Sequence, residues 1–556
     1  MARRVAVIGG GSSGLACIKC CLDEGLQPVC FESSDDLGGL WRFKENPEPD
    51  RASIYHSVII NTSKEMMCFS DFPIPAHFPN YMHNKLIMDY FRMYAEQFQL
   101  TKHIRFNTKV LQVKQRSDFA HSGQWDVETE NKEGKKEKHI FDAVMICIGH
   151  HCNPNLPLDD FPGIHTFTGK YFHSRDYKTP EEWRDKKVVV IGIGNSGGDI
   201  AVELSKVTKQ LYLSTRRGAW ILNRVGDNGI PMDMVFNRVS EMMRVILPFN
   251  VLCGFVESRL NSRFDHGLYN LKPKHRLFSQ HPTVNDELPN RILSGTVQVK
   301  PNISRFQGSS VEFDDGSVVE DVDLVVFATG YTFSYPFLSS QVVSVSDNKA
   351  SLYKYVFPPE LQRPTLAIIG LVQPLGAIMP ISEMQARWAT RVFKGCAKLP
   401  SEAAMMKDIK SKEETMAKRY VSSQRHTIQV DYICYMDEIA ELVGVRPSIP
   451  RLLLSDPRIG LSVLLGPCTP YQFRLRGPGK WAGARQAILH QWKRVAQPMQ
   501  TRPCQDPEPC RSFLRPFVVL AAAVGVGAYM CRNWLQAVLQ DPAQLLGPFK
   551  DYLPAL

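Results

Sequence analysis

Apolar residues run almost without interruption over 5–8, 143–148, 187–191, 324–328 and 366–369, and each run closes on or near a glycine. Runs this short and this apolar predict buried strands. Two of them open larger units of the same strand, turn and helix pattern, one from Arg4 and one from Lys186. The pattern changes over 232–271, where the apolar positions recur at helical spacing. Val235, Val239, Met242, Met243 and Ile246 would form one face there, read as core packing in preference to membrane contact. Residues 401–445 are again helical but more charged, which predicts a solvated outer layer. Four prolines over 497–511 mark a linker. The 15 uncharged residues of 517–531 follow, flanked by Arg511 and Arg515 before and Arg532 after. They predict a C-terminal membrane helix, short against the roughly 20 residues of a comfortable span.

A chain of 556 residues is too long for one core, so two main domains are expected. Hydrophobic content of 44% and charged content of 22% exclude a disordered or multi-span protein. The net charge of +10 suits polyanionic cofactors and an acidic membrane surface, and no basic block with interleaved aromatics suggests nucleic acid. Fourteen scattered cysteines predict reduced thiols, and Cys17, Cys20 and Cys21 fall in a predicted helix as core filler. No metal spacing is present. Residues 1–4 carry no signal-peptide pattern, which places the N-terminal domain on the cytosolic side.

The segment from Val5 to Gly14 sets Gly9, Gly11 and Gly14 in G-x-G-x-x-G spacing between a strand and a helix, with Gly10, Ser12 and Ser13 completing the turn. The glycines allow a tight turn, close approach of backbone N–H groups to a pyrophosphate, and close packing of helix on strand. Glu32 ends the next strand, 23 residues after Gly9. Its carboxylate accepts from ribose hydroxyls and repels a 2′-phosphate, so this site reads as FAD-binding. Leu40 and Trp41 in Gly38-Gly-Leu-Trp41 are placed beside the flavin half.

The segment from Lys187 to Gly198 repeats the logic with Gly192, Gly194, Asn195, Ser196, Gly197 and Gly198. The same offset of 23 residues from Gly192 reaches Thr215, followed by Arg216 and Arg217. A hydroxyl beside guanidinium groups suits a 2′-phosphate, so the second site reads as NADPH-binding.

With these residues in hand, the sequence resembles the vertebrate microsomal flavin-containing monooxygenases over about residues 1–500. Phe167-Thr-Gly-Lys-Tyr-Phe-His-Ser-Arg-Asp-Tyr177 is similar to the family's identifying motif, and Phe327-Ala-Thr-Gly-Tyr331 to its strand signature. Segments 66–75, 216–225 and 271–275 look most like the fifth isoform class, which is associated with Baeyer–Villiger oxidation of ketones and aldehydes. Its relatives mostly oxygenate soft nitrogen and sulfur. Tyr177 stands where related bacterial Baeyer–Villiger enzymes carry Trp, so the motif leaves the two chemistries open.

The resemblance implies an α/β fold of two nested Rossmann-like dinucleotide-binding domains with a helical insertion and a C-terminal membrane helix. The expected division is 1–150 for the first part of the FAD domain and 151–330 for the NADPH domain, with the insertion at about 230–290. Residues 331–445 then return to the FAD domain and outer helices, 446–510 form a C-terminal region and linker, and 511–556 form an anchoring tail. It further implies an endoplasmic reticulum membrane location with the catalytic domains on the cytosolic face, O2 and small lipophilic substrates as reactants, and membrane lipid as a partner; a homo-oligomer is compatible with the sequence. In the family NADPH reduces FAD, which holds O2 as a C4a-hydroperoxide. Asn61 matches the family's catalytic asparagine beside the flavin, although Asn61-Thr62-Ser63 also reads as a glycosylation sequon. Ile60 and Thr62 flank it, Gln373 is expected to face the flavin, and no catalytic role is assigned to His173. A flavin disulfide reductase would need a C-x4-C pair behind the first glycine turn, where this chain has Gly38-Gly-Leu-Trp41. A non-catalytic nucleotide-binding membrane protein is the other alternative.

Overall fold

A computed structural model describes residues 3–421 and 427–502. Its frame is a pair of five-stranded parallel sheets. The first runs in the order Leu366–Ile368, Ala143–Ile146, Arg4–Ile8, Gln27–Phe31 and Ile104–Arg105. The second runs Val297–Lys300, Gln210–Ser214, Lys187–Ile191, Leu324–Phe327 and Lys170–His173. Val5, Ala6 and Val7 are wholly buried, as are Val188, Val189 and Val190. Parallel strands covered on both faces carry no polar alternation, which is why these runs are continuously apolar in sequence.

Each central strand leads through its glycine turn into a helix: α1 at Ser12–Asp23 and α2 at Asn195–Leu204. The buried face of α1 is made of Gly14, Leu15, Ala16, Cys17, Ile18, Cys20 and Cys21, small enough to lie close on the sheet. Burial pushes all three thiols well above the usual cysteine range, so they are inert packing groups.

The expected insertion forms two helices, α3 at Arg238–Ile246 and α4 at Phe249–Asn261. Its apolar residues correct the core-packing expectation in part. Of the expected face Val235, Met242 and Ile246 are exposed, as are Val245, Val251 and Phe255, while Val239 and Met243 are half-buried and Met234, Cys253 and Leu260 are buried. The polar side of α3 faces inward instead, where Arg238 is held by Asp437 at 2.5 and 2.9 Å.

Helix α5, Ile378–Lys394, packs along α1 and is buried around nearly its whole circumference, including Ser382, Glu383, Gln385, Arg387 and Thr390. Of its buried charges, Arg387 donates to the Phe473 and Pro478 carbonyls at 3.2 and 2.9 Å, and Glu383 has a cation. Glu383 accepts from Arg474 Nη2 at 2.6 Å, Ser70 N–H at 2.7 Å and Ser70 O–H at 2.7 Å. Arg474 also reaches Asp71 at 2.9 Å, and Asp71 meets Lys19 of α1 at 2.5 Å.

Of the span expected to be a solvated layer, α6 at Glu402–Arg419 is largely exposed, but α7 at Tyr432–Val443 is not. Tyr432, Ile433, Tyr435, Met436, Ile439 and Ala440 of α7 are core residues. Its charges meet cations of neighbouring elements, Asp437 with Arg238 and Glu438 with Lys354 and Lys412. Among the described residues no helix is long and apolar enough to cross a membrane. The tail expected to do so, 511–556, lies outside the described residues.

Candidate active site

The two glycine turns are superposable in their constraints. Gly9 and Gly192 both adopt φ of +101°, a region that disfavours side chains, and a Cβ on Gly14 or Gly197 would fall 1.9 Å from the carbonyl oxygen of Gly9 or Gly192. A Cβ on Gly194 would meet nothing within 4 Å, so this turn leaves free space on its ligand side. At the first turn Gly11 lies against Gly39, and Gly38 N–H donates to Gly10 carbonyl at 3.0 Å, which seats the Leu40–Trp41 loop on the turn. Glu32 accepts from Gly10 N–H at 2.6 Å and Ser34 N–H at 2.8 Å. A carboxylate has about four acceptor positions, so these bonds leave capacity for a ribose. Ser13 donates its hydroxyl to Ser382 at 3.0 Å.

A cleft of about 790 Å³ gathers residues from both units. From the first side come Leu40, Trp41, Ile60, Asn61, Thr62 and Gln373. From the second come Gly192, Gly194, Asn195, Ser196, Gly197, Thr215 and Arg216. The first glycine turn and Glu32 do not line this cleft, and Gly198 is packed under Thr283 and Asn285. Thr215 accepts from Gly218 N–H at 3.0 Å, closing a turn that holds Arg216 and Arg217 at the exposed rim. Open space at Gly194 and the rim guanidiniums fit one dinucleotide lying along this cleft, to which Leu40, Trp41 and Asn61 bring the loops of the first unit.

Asn61 stands where the two sides meet. Its Oδ1 accepts from Arg224 Nη2 at 2.6 Å. Arg224 is fastened to Asp286 through its own N–H at 2.9 Å and Nη1 at 3.2 Å. Asp199 of α2 lies 3.9 Å from the same guanidinium and accepts from Tyr55 hydroxyl at 2.7 Å and Asn285 amide at 2.8 Å. Burial pushes the Asp199 carboxyl up against these bonds. The loop continuing from Asn61 is equally fixed: Ser63 N–H donates to Asp233 at 2.7 Å, and Glu65 accepts from Arg494 and Tyr471 at 2.8 Å each.

Arg224, Asp199 and Asp286 escaped sequence reasoning, as did His150, His151 and His281 in the cleft wall. Burial lowers His150 to about 4 and holds His151 well below the usual histidine range, so both are neutral imidazoles at physiological pH. Their only signal was an unassigned His-His pair after the Gly149 strand. His173 does not itself line the cleft. Its Nε2 meets Gly330 carbonyl at 2.9 Å, and its Nδ1 accepts from Arg175 N–H at 3.1 Å. Arg175 in turn donates to Arg51 carbonyl at 2.9 Å, and buried Tyr177 lies against Tyr55 with ring centres 6.1 Å apart. The motif that suggested the resemblance therefore fastens the second sheet to the 48–56 loop.

Two parallel sheets, each with a phosphate-type glycine turn, converging on one shared cleft define a two-dinucleotide oxidoreductase. The model of flavin-binding monooxygenase-like proteins matches residues 2–530. Flavin-containing monooxygenase 5 of Oryctolagus cuniculus is 62% identical over 501 residues, covering 90% of this chain and 94% of the relative. Dimethylaniline monooxygenase [N-oxide-forming] 2 of Rattus norvegicus is 53% identical over 506 residues, covering 91% and 94%. Among solved structures, S-allyl-L-cysteine S-oxygenase from Allium sativum matches the fold with a TM-score of 0.62 at 24% identity, covering 89% of this chain and 98% of that one. The chain belongs to the flavin-containing monooxygenase family and is an FAD- and NADPH-dependent monooxygenase.

Proposed function

We propose that this enzyme inserts one atom of O2 into small lipophilic ketones or aldehydes in a Baeyer–Villiger reaction, with soft nitrogen and sulfur nucleophiles as lesser substrates. The preference rests on greater identity to isoform 5 of the family, 62% against 53% for an N-oxide-forming relative. The observation that carries the site assignment is the meeting of Trp41, Asn61 and Gln373 with Gly194, Thr215 and Arg216 in one cleft.

In this reading Gly9, Gly10, Gly11, Ser12, Ser13, Gly14 and Glu32 hold the FAD pyrophosphate and ribose, and Leu40, Trp41, Ile60, Thr62 and Gln373 flank its ring. Gly192, Gly194, Asn195, Ser196, Gly197 and Gly198 form the NADPH turn, with Thr215 and Arg216 on the 2′-phosphate. The flavin supplies hydride acceptance and oxygen activation when bound. The protein supplies position and hydrogen bonds. Asn61 would offer an N–H donor from an amide that cannot titrate, and one such bond to developing charge is worth about 3 kcal/mol. His150 and His151, neutral in the wall of the same cleft, add no charge to it.

The corresponding domain division is an FAD domain from 1–150 and 331–445, an NADPH domain from 151–330, a C-terminal region over 446–510, and an anchor over 511–556. Location on the cytosolic face of the endoplasmic reticulum membrane is supported by the uncharged 517–531 run and by the exposed apolar side chains of α3 and α4.

Mass-spectrometric product analysis after offering a ketone, a thioether and a tertiary amine with NADPH tests the substrate class. Ester from the ketone is the expected principal product; N-oxide or sulfoxide alone would reverse the preference. Asn61→Ala tests the site: FAD binding and hydride transfer should persist, while NADPH electrons appear as hydrogen peroxide in place of product.

A further inference from the structure

A guanidinium donates hydrogen bonds and never accepts them. Because Arg224 Nη2 lies 2.6 Å from the Asn61 side chain, the atom facing it must be Oδ1. The amide is thereby prevented from turning over, and its donor, Nδ2, is left for the cleft that Asn61 lines. An asparagine without such a partner presents donor and acceptor with equal ease.

We propose that Arg224 is a positioning residue of the oxygenation site, fixing the rotamer and amide orientation of Asn61. The proposal rests on the reading of Asn61 given above. Arg224 does not line the cleft and touches no reacting group, so it acts through the asparagine. It is itself fixed on several sides. Asp286 takes its backbone N–H and Nη1, Asp199 faces its Nη2 end at 3.9 Å, and its carbonyl accepts from Tyr81 hydroxyl at 2.8 Å. Asp199 and Asn285 also tie this cluster to the second glycine turn: Asp199 stands on α2, and Asn195 at the head of α2 accepts from Val284 N–H at 2.8 Å. The donor that serves oxygen on the flavin side is thus held by residues of the nicotinamide side.

A merely structural ion pair would stabilise the 224–286 contact and do nothing specific to Asn61. A double-mutant cycle separates the two. Arg224→Gln removes the obligate donor, since a glutamine amide can also accept from Asn61 Nδ2. It should raise the ratio of hydrogen peroxide to oxygenated product about tenfold, the effect of one misaligned charge-assisted bond. Anaerobic hydride transfer and the NADP+ dissociation constant, read by flavin absorbance, should stay within about twofold. Arg224→Lys, which keeps a donor-only cation, should recover much of the coupling. In an Asn61→Ala background Arg224→Gln should add no further uncoupling, and crystals of Arg224→Gln holoenzyme should show Asn61 in a second rotamer.

Equal uncoupling by Arg224→Gln with and without Asn61 would overturn the proposal while leaving the reading of Asn61 intact. Normal coupling in Asn61→Ala itself would overturn that reading, and the proposal with it. Should Arg224→Gln fail to retain FAD, Arg224→Lys decides alone: a single Asn61 rotamer with near-normal coupling supports the proposal, and strong uncoupling with Asn61 unmoved refutes it.

Discussion

Asp233, carried by the helical insertion, accepts the backbone N–H of Ser63 at 2.7 Å, so the insertion grips the loop two residues beyond Asn61. The carboxyl is buried, and burial raises its pKa to about 6. As pH rises from about 4 to about 6 the unfolded chain releases this proton while the folded chain keeps it, so stability falls across that window and stays lower above it. Asp233→Asn keeps an acceptor for Ser63 without the charge. It should raise the thermal midpoint by roughly 1–3 °C at pH 8 and leave it nearly unchanged at pH 4.5. Calorimetry at both pH values checks this; an equal shift at the two would show that burial of the charge is not the cause.

Arg216 and Arg217 stand exposed at the cleft rim on the turn closed by Thr215. Replacing Arg216 with Glu puts a repelling charge where the 2′-phosphate is assigned. The Michaelis constant for NADPH should rise by about tenfold or more, and that for NADH should change little. Steady-state kinetics with both nucleotides decide the matter, and equal effects would remove the phosphate assignment.

Arg474 is almost completely buried between Glu383 and Asp71. Removing Arg474 leaves the buried Glu383 carboxylate without its cation and Asp71 with Lys19 alone, at a cost of about 3–5 kcal/mol. Arg474→Met should therefore lower the unfolding midpoint by several degrees and loosen FAD, because Asp71 also holds Lys19 of α1. Arg485, whose bond to Asp456 lies at the surface, is the control: Arg485→Met should leave the midpoint in place. Thermal shift followed by flavin fluorescence reports both.

How much of this was legible beforehand depended on sequence distance. The glycine turns are local: Gly9, Gly14, Gly192 and Gly197 obey constraints set within a few residues, and their spacing exposes them. The Asn61–Arg224 bond joins positions 163 apart, with no local pattern to announce it. Helix α7 was misread because Asp437, Glu438 and Glu441 give it a charged appearance, whereas Arg238, Lys354 and Lys412 arrive from other elements to neutralise two of the three. The face of α3 was found by its period, but periodicity carries no information on which way an apolar face points. There Met242 and Ile246 point outward, and Val239 and Met243 are half-buried.

That outward face sets a further test. Deleting 511–556 should weaken sedimentation with liposomes while FAD stays bound. The residual association should be abolished by Val245→Glu with Phe255→Glu, since each exposed apolar side chain transferred into lipid contributes about 1.5–3 kcal/mol. A truncated double variant that still sediments fully would move the lipid contact elsewhere.

The strand Leu366–Ile368 completes the first sheet beside Ala143–Ile146, although every strand of the second sheet is made between them. On a ribosome adding 5–20 residues per second, the earlier strand waits roughly 10–40 seconds for its neighbour. During that interval the nascent N-terminal half carries an open parallel edge, the kind of surface that captures stray strands. The second sheet has a shorter delay, since Lys170–His173 waits about 150 residues for its partner Leu324–Phe327, and that partner is made before residue 366. Folding on the ribosome therefore runs against the order of synthesis: the second sheet closes first, and the first sheet, begun earlier, becomes whole only afterwards. Chaperone demand during synthesis should peak before residue 366 leaves the exit tunnel.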